Sequence, residues 1–443
     1  MPFAHTALAR TGSNEFSYRT NDLRGDILSP SYFNPAKVVG LKVADIIVAT
    51  AAIGVLPDVL TLLVTATDPI VVVMSVGSGV ASLSPVAFNP SKSMKYLKYR
   101  SARARTDRNC RVAFVGDSTY AGTAVPATNN QVIRSLPMQV ARLLRQMGIP
   151  AGANNRFGCA SNLWTSLLAM DGRCSSTGAW SQTGSTIAGG NGFGCNTAAA
   201  GSATFTFPDA VSKYAIYWQN SGTVGKIMTY QVDAGATTNL TTTGSSNIMQ
   251  TIVDAGSVAA HTLTLAQATN NFALLAVDAW DGSRPEISCW NWGIAGATST
   301  ALTSNAGSPF GRMDSYAYFA PDLSIVEGGI INDWRQSIPV ATTKANLTAL
   351  VGVLKASGDV LLYTPRFDNG TSGASPSQEA YVAAMYEVGA EQGIDVWDNR
   401  TGLGSYALAN AAGMYGDEVH GDGAGIGYAD EAARLVRGFF LTI

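Results

Sequence analysis

Hydrophobic and polar residues alternate with different periods along the chain, and the period separates three kinds of region. Before residue 80, short aliphatic runs are interrupted by Gly, Pro and Asp, which predicts a small β domain with strands at 43–51, 59–65 and 70–76. Between 156 and 285, a Gly/Ser/Thr-rich stretch leads into alternating apolar and polar residues at 203–207, 214–218, 226–232, 261–265 and 272–277. A period of two repeated at this spacing predicts an antiparallel β-sandwich.

The remaining segments, 111–155 and 286–443, alternate between strands and helices. Strand-like runs are expected at 111–115, 325–328, 360–363 and 394–397, and helical runs at 132–147, 342–356, 377–392 and 428–439. This alternation of strands and helices predicts an α/β fold of three layers, in which helices cover both faces of a parallel sheet. The expected organisation is an N-terminal β domain at 1–80, a connector at 81–110, an α/β domain at 111–155 and 286–443, and a sandwich inserted at 156–285.

The connector is basic, with eight Lys or Arg residues and one acid between Lys92 and Arg111. A patch for nucleic acid or lipid and a solvated, partly helical connector are both compatible with this charge. The connector is favoured because Tyr96 and Tyr99 are the only aromatic residues on which a base might stack.

Composition narrows the classes of partner. Charged residues make up only 14% of the chain and the net charge is −2, so neither nucleic acid nor an anionic membrane is expected as a partner. The most apolar region, 38–77, is interrupted by Asp45, Asp58 and Asp68, and no signal peptide is visible at the N-terminus. The five cysteines lack metal-ligand spacing, although Cys159, Cys174 and Cys195 leave room for one disulfide. We therefore expect no metal and no cofactor.

Candidate chemistry begins with histidine, of which the chain has only three. His420 follows Asp417 by three residues, and far upstream the apolar run 111–115 ends in Gly116-Asp117-Ser118. A serine hydroxyl becomes a useful nucleophile only when a base accepts its proton and a third group orients that base. Ser118, His420 and Asp417 are therefore the candidate catalytic residues.

Two further segments complete a known pattern. They are Asn291-Trp292-Gly293-Ile294-Ala295-Gly296-Ala297-Thr298-Ser299 and Gly328-Gly329-Ile330-Ile331-Asn332-Asp333. In this order, the four segments resemble the conserved blocks of the SGNH, or GDSL-like, hydrolase superfamily. The resemblance implies a serine esterase with Ser118 as nucleophile, His420 as general base and Asp417 as its orienting acid. It also implies an oxyanion hole formed by the Ser118 and Gly296 N–H groups and the Asn332 amide. One departure is Ile330, which stands where the family has Gly.

The substrate is less defined, since the superfamily contains carbohydrate esterases, lipases, thioesterases and acyltransferases. The uncharged polar composition favours a carbohydrate esterase that removes O-acetyl, or other short acyl, groups from a polysaccharide. Residues 34–48 resemble small N-terminal modules of phage tail-associated and bacterial surface proteins, and the alternative is a β cap packed on the catalytic domain. With the resemblance, we expect an extracellular or virion-associated location. Trp292 and Trp334 flank the oxyanion residues and are the expected substrate contacts. The alternatives are a lipolytic or general short-chain esterase, and a catalytically silent carbohydrate-binding component of a tail or surface. A homo-oligomer is left open.

Overall fold

The computed structural model divides the chain into two units, Met1–Phe88 and Asn89–Ile443. In the first unit it describes only the backbone of five strands. In the second it describes residues 95–442, apart from 126–130, 153–163, 196–200, 270–271, 371–376 and 423. The five strands of the first unit form one sheet in chain order: Leu8–Arg10, Glu15–Arg19, Ile46–Ala51, Asp58–Ala66 and Val72–Ser78. The last three strands lie at the places expected from the aliphatic runs.

A parallel sheet of six strands carries the second unit. In spatial order its strands are Asp395–Trp397, Asp359–Tyr363, Leu323–Val326, Cys110–Gly116, Ile287–Gly293 and Ala151–Gly152. The central strand is buried along most of its length because both of its faces are covered. Val112 and Phe114 belong to the apolar cluster on one face, and Ala113 and Val115 belong to the cluster on the other. The predicted α/β fold class is therefore confirmed.

Helices cover both faces of this sheet. On one side, Leu136–Gln146 and Ile426–Leu435 contribute Val140, Leu144 and Leu435 to the cluster around Phe114. On the other side, Val340–Ser357 and Gln378–Gln392 contribute to the cluster around Val115. The other helical segments are Ser118–Ala121, Gln131–Arg134, Trp164–Met170, Ser299–Leu302, Arg312–Phe319, Ile330–Arg335, Asn399–Leu403, Tyr406–Ala411 and Val436–Phe440.

The basic segment before the central strand is partly helical, as expected, and forms the helix Leu97–Arg103. Its two aromatic residues differ from a solvated connector, because Tyr96 and Tyr99 are buried against Phe439 and Phe440. The Tyr99 N–H donates to Asp359 at 2.8 Å. Burial of two aromatic rings outweighs the solvation of the basic residues, whose long side chains still reach the surface. This helix packs as part of the second unit.

Two antiparallel sheets of five strands each lie, in sequence, between the parallel strands Ala151–Gly152 and Ile287–Gly293. In spatial order, one contains Trp180–Ile187, Gly190–Cys195, Ala273–Trp280, Val211–Asn220 and Asn247–Ala259. The other contains Thr238–Thr243, Val224–Val232, Thr262–Gln267, Ser202–Thr206 and Cys174–Thr177. Ile216 and Val277 of the first sheet share an apolar cluster with Phe205 and Leu265 of the second. We infer that the two sheets pack face to face as the predicted sandwich.

The described part of the chain contains no helix that is both long and apolar enough to cross a bilayer. Cys110, Cys174 and Cys289 are buried thiols that form no disulfide. Cys159, which the sequence offered as a disulfide partner, lies outside the described residues.

Candidate active site

The candidate nucleophile lies on a tight turn at the carboxyl end of the central strand. That strand ends at Gly116, and Ser118 begins the one-turn helix Ser118–Ala121. Asp117 caps this helix by accepting hydrogen bonds from the Thr119 N–H and hydroxyl, both at 2.9 Å. A Cβ atom at Gly293 would lie 2.1 Å from the Ala121 nitrogen, so the neighbouring strand must end in glycine for the turn to fit. Ser118 is thereby held at the edge where the parallel strands end, with 9% of its surface exposed.

The candidate base and its orienting acid lie on one loop, Met414–Gly421, which we call the His420 loop. His420 Nε2 is 3.0 Å from Ser118 Oγ, and His420 Nδ1 is 2.8 Å from Asp417 Oδ2. The second Asp417 oxygen accepts the main-chain N–H groups of Val419 at 2.8 Å and His420 at 2.6 Å. The three side chains form a continuous line in which a proton can pass from the serine oxygen to the imidazole.

Asp417 is held in its ionised form. Burial opposes ionisation of this carboxyl, but hydrogen bonds from the His420 ring and from the His420 and Val419 N–H groups outweigh it. The net result is that the pKa of Asp417 lies below its usual value. Asp417 therefore remains a carboxylate, which keeps the proton of the neutral imidazole on Nδ1 and leaves Nε2 free to accept.

The candidate oxyanion hole is only partly assembled around Ser118. Gly296 is in the left-handed region with φ +76, and within the described residues its N–H donates to no protein acceptor. The Asn332 amide nitrogen lies 3.1 Å from Asp117 Oδ2 and 3.0 Å from the Ala297 carbonyl oxygen. The amide thus borders the nucleophile turn, but both of its N–H groups already have protein acceptors. A substrate oxyanion would have to displace one of these two acceptors.

Ile330, the residue that departs from the family pattern, begins the helix Ile330–Arg335. Gly328 and Gly329 before it both have positive φ, at +82 and +74. A Cβ atom at Gly329 would lie 2.8 Å from the Ala297 carbonyl oxygen. The shifted glycine pair therefore makes the close approach between this segment and the Gly296 turn, and Ile330 is free to be an apolar, buried residue.

Sequence reasoning missed a buried carboxyl behind this edge. Glu327 directly follows the strand Leu323–Val326 and is 1% exposed. Its Oε2 accepts the Gly329 N–H at 3.0 Å and the Asp117 N–H at 3.3 Å, so it joins the segment of Asn332 to the turn of Ser118. Burial, reinforced by nearby Asp117, raises the pKa of Glu327 well above its usual value. An acid at the end of an otherwise apolar strand is the sequence signal that points to it.

We expect the Glu327 carboxyl to be protonated and uncharged. The variants Glu327→Gln and Glu327→Leu test this expectation. Glutamine retains an acceptor for the two N–H groups and should keep kcat/KM of ester hydrolysis within about threefold of wild type. Leucine leaves two buried donors unpaired, at about 1–3 kcal/mol each, and should lower kcat by at least about tenfold. Equal losses in both variants, measured on folded protein, would contradict a neutral Glu327.

The two tryptophans expected to contact substrate are instead core residues. Trp292 has no exposed surface, and its ring stacks on Trp290 with ring centroids 5.5 Å apart. Trp334 is 8% exposed and belongs to the same apolar cluster. The expectation that Trp292 contacts substrate is therefore corrected, because its strand is covered on both faces and the ring packs in the core beneath the edge. Trp334 offers at most the rim of its ring.

No group of three or more His, Cys, Asp or Glu side chains arranged to hold a metal ion occurs among the described residues.

Comparison with known proteins rests on the fold. No family model matches the sequence, and no curated protein matches it. Among solved structures, a peptidoglycan O-acetylesterase matches with a TM-score of 0.58 and 18% identity, covering 80% of this chain and 96% of that one. A family two carbohydrate esterase from Cellvibrio japonicus (TM-score 0.25, 13% identity, 61% and 97% covered) and a lipase/acylhydrolase from Enterococcus faecalis (TM-score 0.28, 22% identity, 34% and 77% covered) also match. Together with the six-stranded parallel sheet, the first match shows that this chain shares the fold of that O-acetylesterase.

Proposed function

We propose that this protein is a serine esterase that removes O-acetyl groups from a polysaccharide. The observation that carries the proposal is the line from Ser118 Oγ through His420 to Asp417, with distances of 3.0 and 2.8 Å at the carboxyl edge of the sheet. The SGNH-like fold supports an ester-hydrolysing role. The structural match to a peptidoglycan O-acetylesterase is consistent with an acetylated glycan as the substrate class.

In the proposed reaction, Ser118 Oγ attacks the acetyl carbonyl carbon while its proton moves to His420 Nε2. The negative charge that develops on the carbonyl oxygen is stabilised by the Ser118 and Gly296 N–H groups and by the Asn332 amide. His420 then gives the proton to the departing sugar oxygen, which leaves an acetylated Ser118. A water molecule, deprotonated by His420, attacks this ester and releases acetate, and the proton returns to Ser118.

Acetate release from a panel of O-acetylated polysaccharides tests the substrate class, with Ser118→Ala as the matched control. Loss of acetate from at least one polysaccharide with wild type, and none with the variant, is the expected result. The rates of hydrolysis of p-nitrophenyl acetate and p-nitrophenyl octanoate distinguish a short-chain esterase from a lipolytic enzyme, which should prefer the octanoate. The small exposed fraction of Ser118 favours the shorter acyl group. A protein that binds glycans but hydrolyses neither ester would instead be a catalytically silent binding component.

The oxyanion hole can be tested with Asn332. The Asn332→Ala variant removes the side-chain donor and should lower kcat by about 10²–10³-fold, as expected for a group that stabilises charge in the transition state. KM should change little, because the ground-state carbonyl interacts more weakly. Steady-state kinetics on p-nitrophenyl acetate measure both constants. Wild-type kcat in this variant would remove Asn332 from the hole and leave the roles of Ser118 and His420 intact.

We also propose an acetylated glycan as the partner and an extracellular or virion-associated location, on the composition and the N-terminal resemblance given above. Immunolabelling of the source particle or cell surface tests the location.

A further inference from the structure

One buried charge near the site has no part in the proposed chemistry. Arg366 follows the strand Asp359–Tyr363 and is 2% exposed. Its Nε lies 2.7 Å from Glu431 Oε1, in an ion pair between two buried side chains. The guanidinium carbon lies 4.2 Å from the centre of the Tyr415 ring and 5.1 Å from that of Tyr428. Burying such a charge is costly even when it is paired, so the remaining guanidinium nitrogens also need hydrogen-bond acceptors.

Those nitrogens bind both ends of the His420 loop. Arg366 Nη2 donates to the Met414 carbonyl at 2.9 Å, and Nη1 donates to the Val419 carbonyl at 3.4 Å. Val419 directly precedes His420, so the second bond fixes the peptide from which the imidazole side chain emerges. The planar guanidinium can span two acceptors in a fixed geometry, which a lysine ammonium cannot do in the same way.

A second contact joins the His420 loop to the nucleophile segment. The Tyr428 hydroxyl accepts the Gly421 N–H at 3.2 Å and donates to the Thr123 carbonyl at 2.6 Å. Gly421 follows His420, and Thr123 follows the turn that carries Ser118. The Thr123 N–H in turn donates to the Ser118 carbonyl at 3.0 Å. The Tyr428 hydroxyl thus adds a side-chain link between the two chain segments that carry base and nucleophile, which also pair directly as the parallel strands Gly421–Asp422 and Ala124–Val125.

We propose that Arg366 and Tyr428 are positioning residues that hold His420 at hydrogen-bonding distance from Ser118. Arg366 holds the shape of the His420 loop, and Tyr428 reinforces its register against the nucleophile segment, beside the pairing of Gly421–Asp422 with Ala124–Val125. This inference rests on the proposed esterase function. Within the described residues, neither side chain hydrogen-bonds to Ser118 or to the His420 ring, so both act through the backbone. A misplacement of about 1 Å in such a pair can cost about 10²-fold in rate without a change in substrate binding.

The Tyr428→Phe variant tests the register contact, because it removes one hydroxyl and keeps the ring that packs on Arg366. The chain offers a matched control in Tyr415→Phe. The Tyr415 ring also covers Arg366, but within the described residues its buried hydroxyl makes no hydrogen bond to the nucleophile segment. On p-nitrophenyl acetate, we expect Tyr428→Phe to lower kcat by about 10–100-fold with KM unchanged. Tyr415→Phe should stay within about twofold of wild type, because no link between the His420 loop and the nucleophile segment is lost.

Arg366→Lys tests the loop contact, since it keeps a positive charge for Glu431 but loses the fork that binds two carbonyls. We expect a loss of kcat of about tenfold or more, again with KM unchanged. A proton NMR signal of the His420 Nδ1–H, far downfield in wild type because of Asp417, should shift or broaden in Arg366→Lys and Tyr428→Phe. It should be unchanged in Tyr415→Phe. If Arg366→Lys does not fold, the comparison of Tyr428→Phe with Tyr415→Phe still tests whether contacts to the His420 loop affect kcat.

Labelling with an organophosphorus fluoride separates this proposal from the esterase proposal, because the reagent modifies an activated serine without any glycan. Mass spectrometry should place the label on Ser118 in wild type and show a slower reaction in Tyr428→Phe than in Tyr415→Phe. Absence of label on wild-type Ser118 would overturn the esterase function itself. Equal labelling rates and equal kcat in the two tyrosine variants would overturn only the positioning role.

Discussion

Ester hydrolysis by the Ser118→Ala variant is expected to fall by roughly 10⁴–10⁶-fold, and His420→Ala is expected to fall by a similar factor. Ser118 Oγ and His420 Nε2 are 3.0 Å apart, so either substitution removes the same proton transfer. The double variant should therefore be little slower than either single one, because nucleophile and base act as a unit. Initial rates on p-nitrophenyl acetate, with acetate release measured in parallel, give the rate reductions of the two single variants and of the double variant.

Loss of activity must be separated from loss of fold in these variants. Ser118 is a small side chain at the rim of the core, so alanine should leave the circular dichroism spectrum and melting temperature close to those of wild type. Near wild-type turnover in a folded Ser118→Ala variant would refute the assignment of this edge as the active site. A factor for the double variant equal to the product of the single factors would show that the two residues act separately.

The second large effect is expected at Asp417. Asp417→Asn should lower kcat by roughly 10³–10⁴-fold, less than either change above. The asparagine oxygen can still accept the Val419 and His420 N–H groups, so the loop should keep its shape. Its NH₂ group, however, would face His420 Nδ1 and favour the imidazole tautomer with the proton on Nε2, which cannot accept a proton from Ser118. Asp417→Ala is the harsher comparison, because it also removes the acceptor that shapes the loop.

The pH dependence provides an independent check on Asp417. The lowered pKa of this carboxyl means that it stays ionised as the solution is acidified. Protonation of Asp417 should therefore add no step to the acid side of the rate profile. In a plot of log kcat/KM against pH, the acid limb should be no steeper than a slope of one. A slope of two would contradict this, because it requires a further group such as Asp417 to gain a proton in the same range.

The sequence pointed to the candidate reactive groups because their chemistry is scarce and local. A single histidine with an acid three residues before it indicated the candidate base and its orienting group. A strand ending in Gly116-Asp117-Ser118 indicated the candidate nucleophile. The alternating runs of the sandwich region correspond to strands with alternating burial, as in Thr262–Gln267, because a period of two directly reflects the two faces of a strand. The helices at 340–357 and 378–392 also lie where their apolar periodicity placed them.

Other features required the packing of distant segments. Nothing in the local sequence says that Trp292 faces the core rather than the substrate, because its strand is covered on both faces and an aromatic residue suits either side. The helix Leu97–Arg103 looked like a solvated connector because charge dominates its composition. Its docking depends on Tyr96 and Tyr99 meeting aromatic rings more than 300 residues further along the chain.

The sequence by itself determined the fold class and the identity of the three candidate catalytic residues, because these follow from short-range periodicity and residue chemistry. Tertiary structure alone decided how they meet. Ser118 and His420 are 302 positions apart, and they come within 3.0 Å because the strand of Ser118 and the His420 loop end at the same edge of the sheet. The same long-range packing selected Glu327, Arg366 and Tyr428 as supports. Their side chains act through main-chain groups of remote segments, and such contacts leave no periodic signal in the sequence.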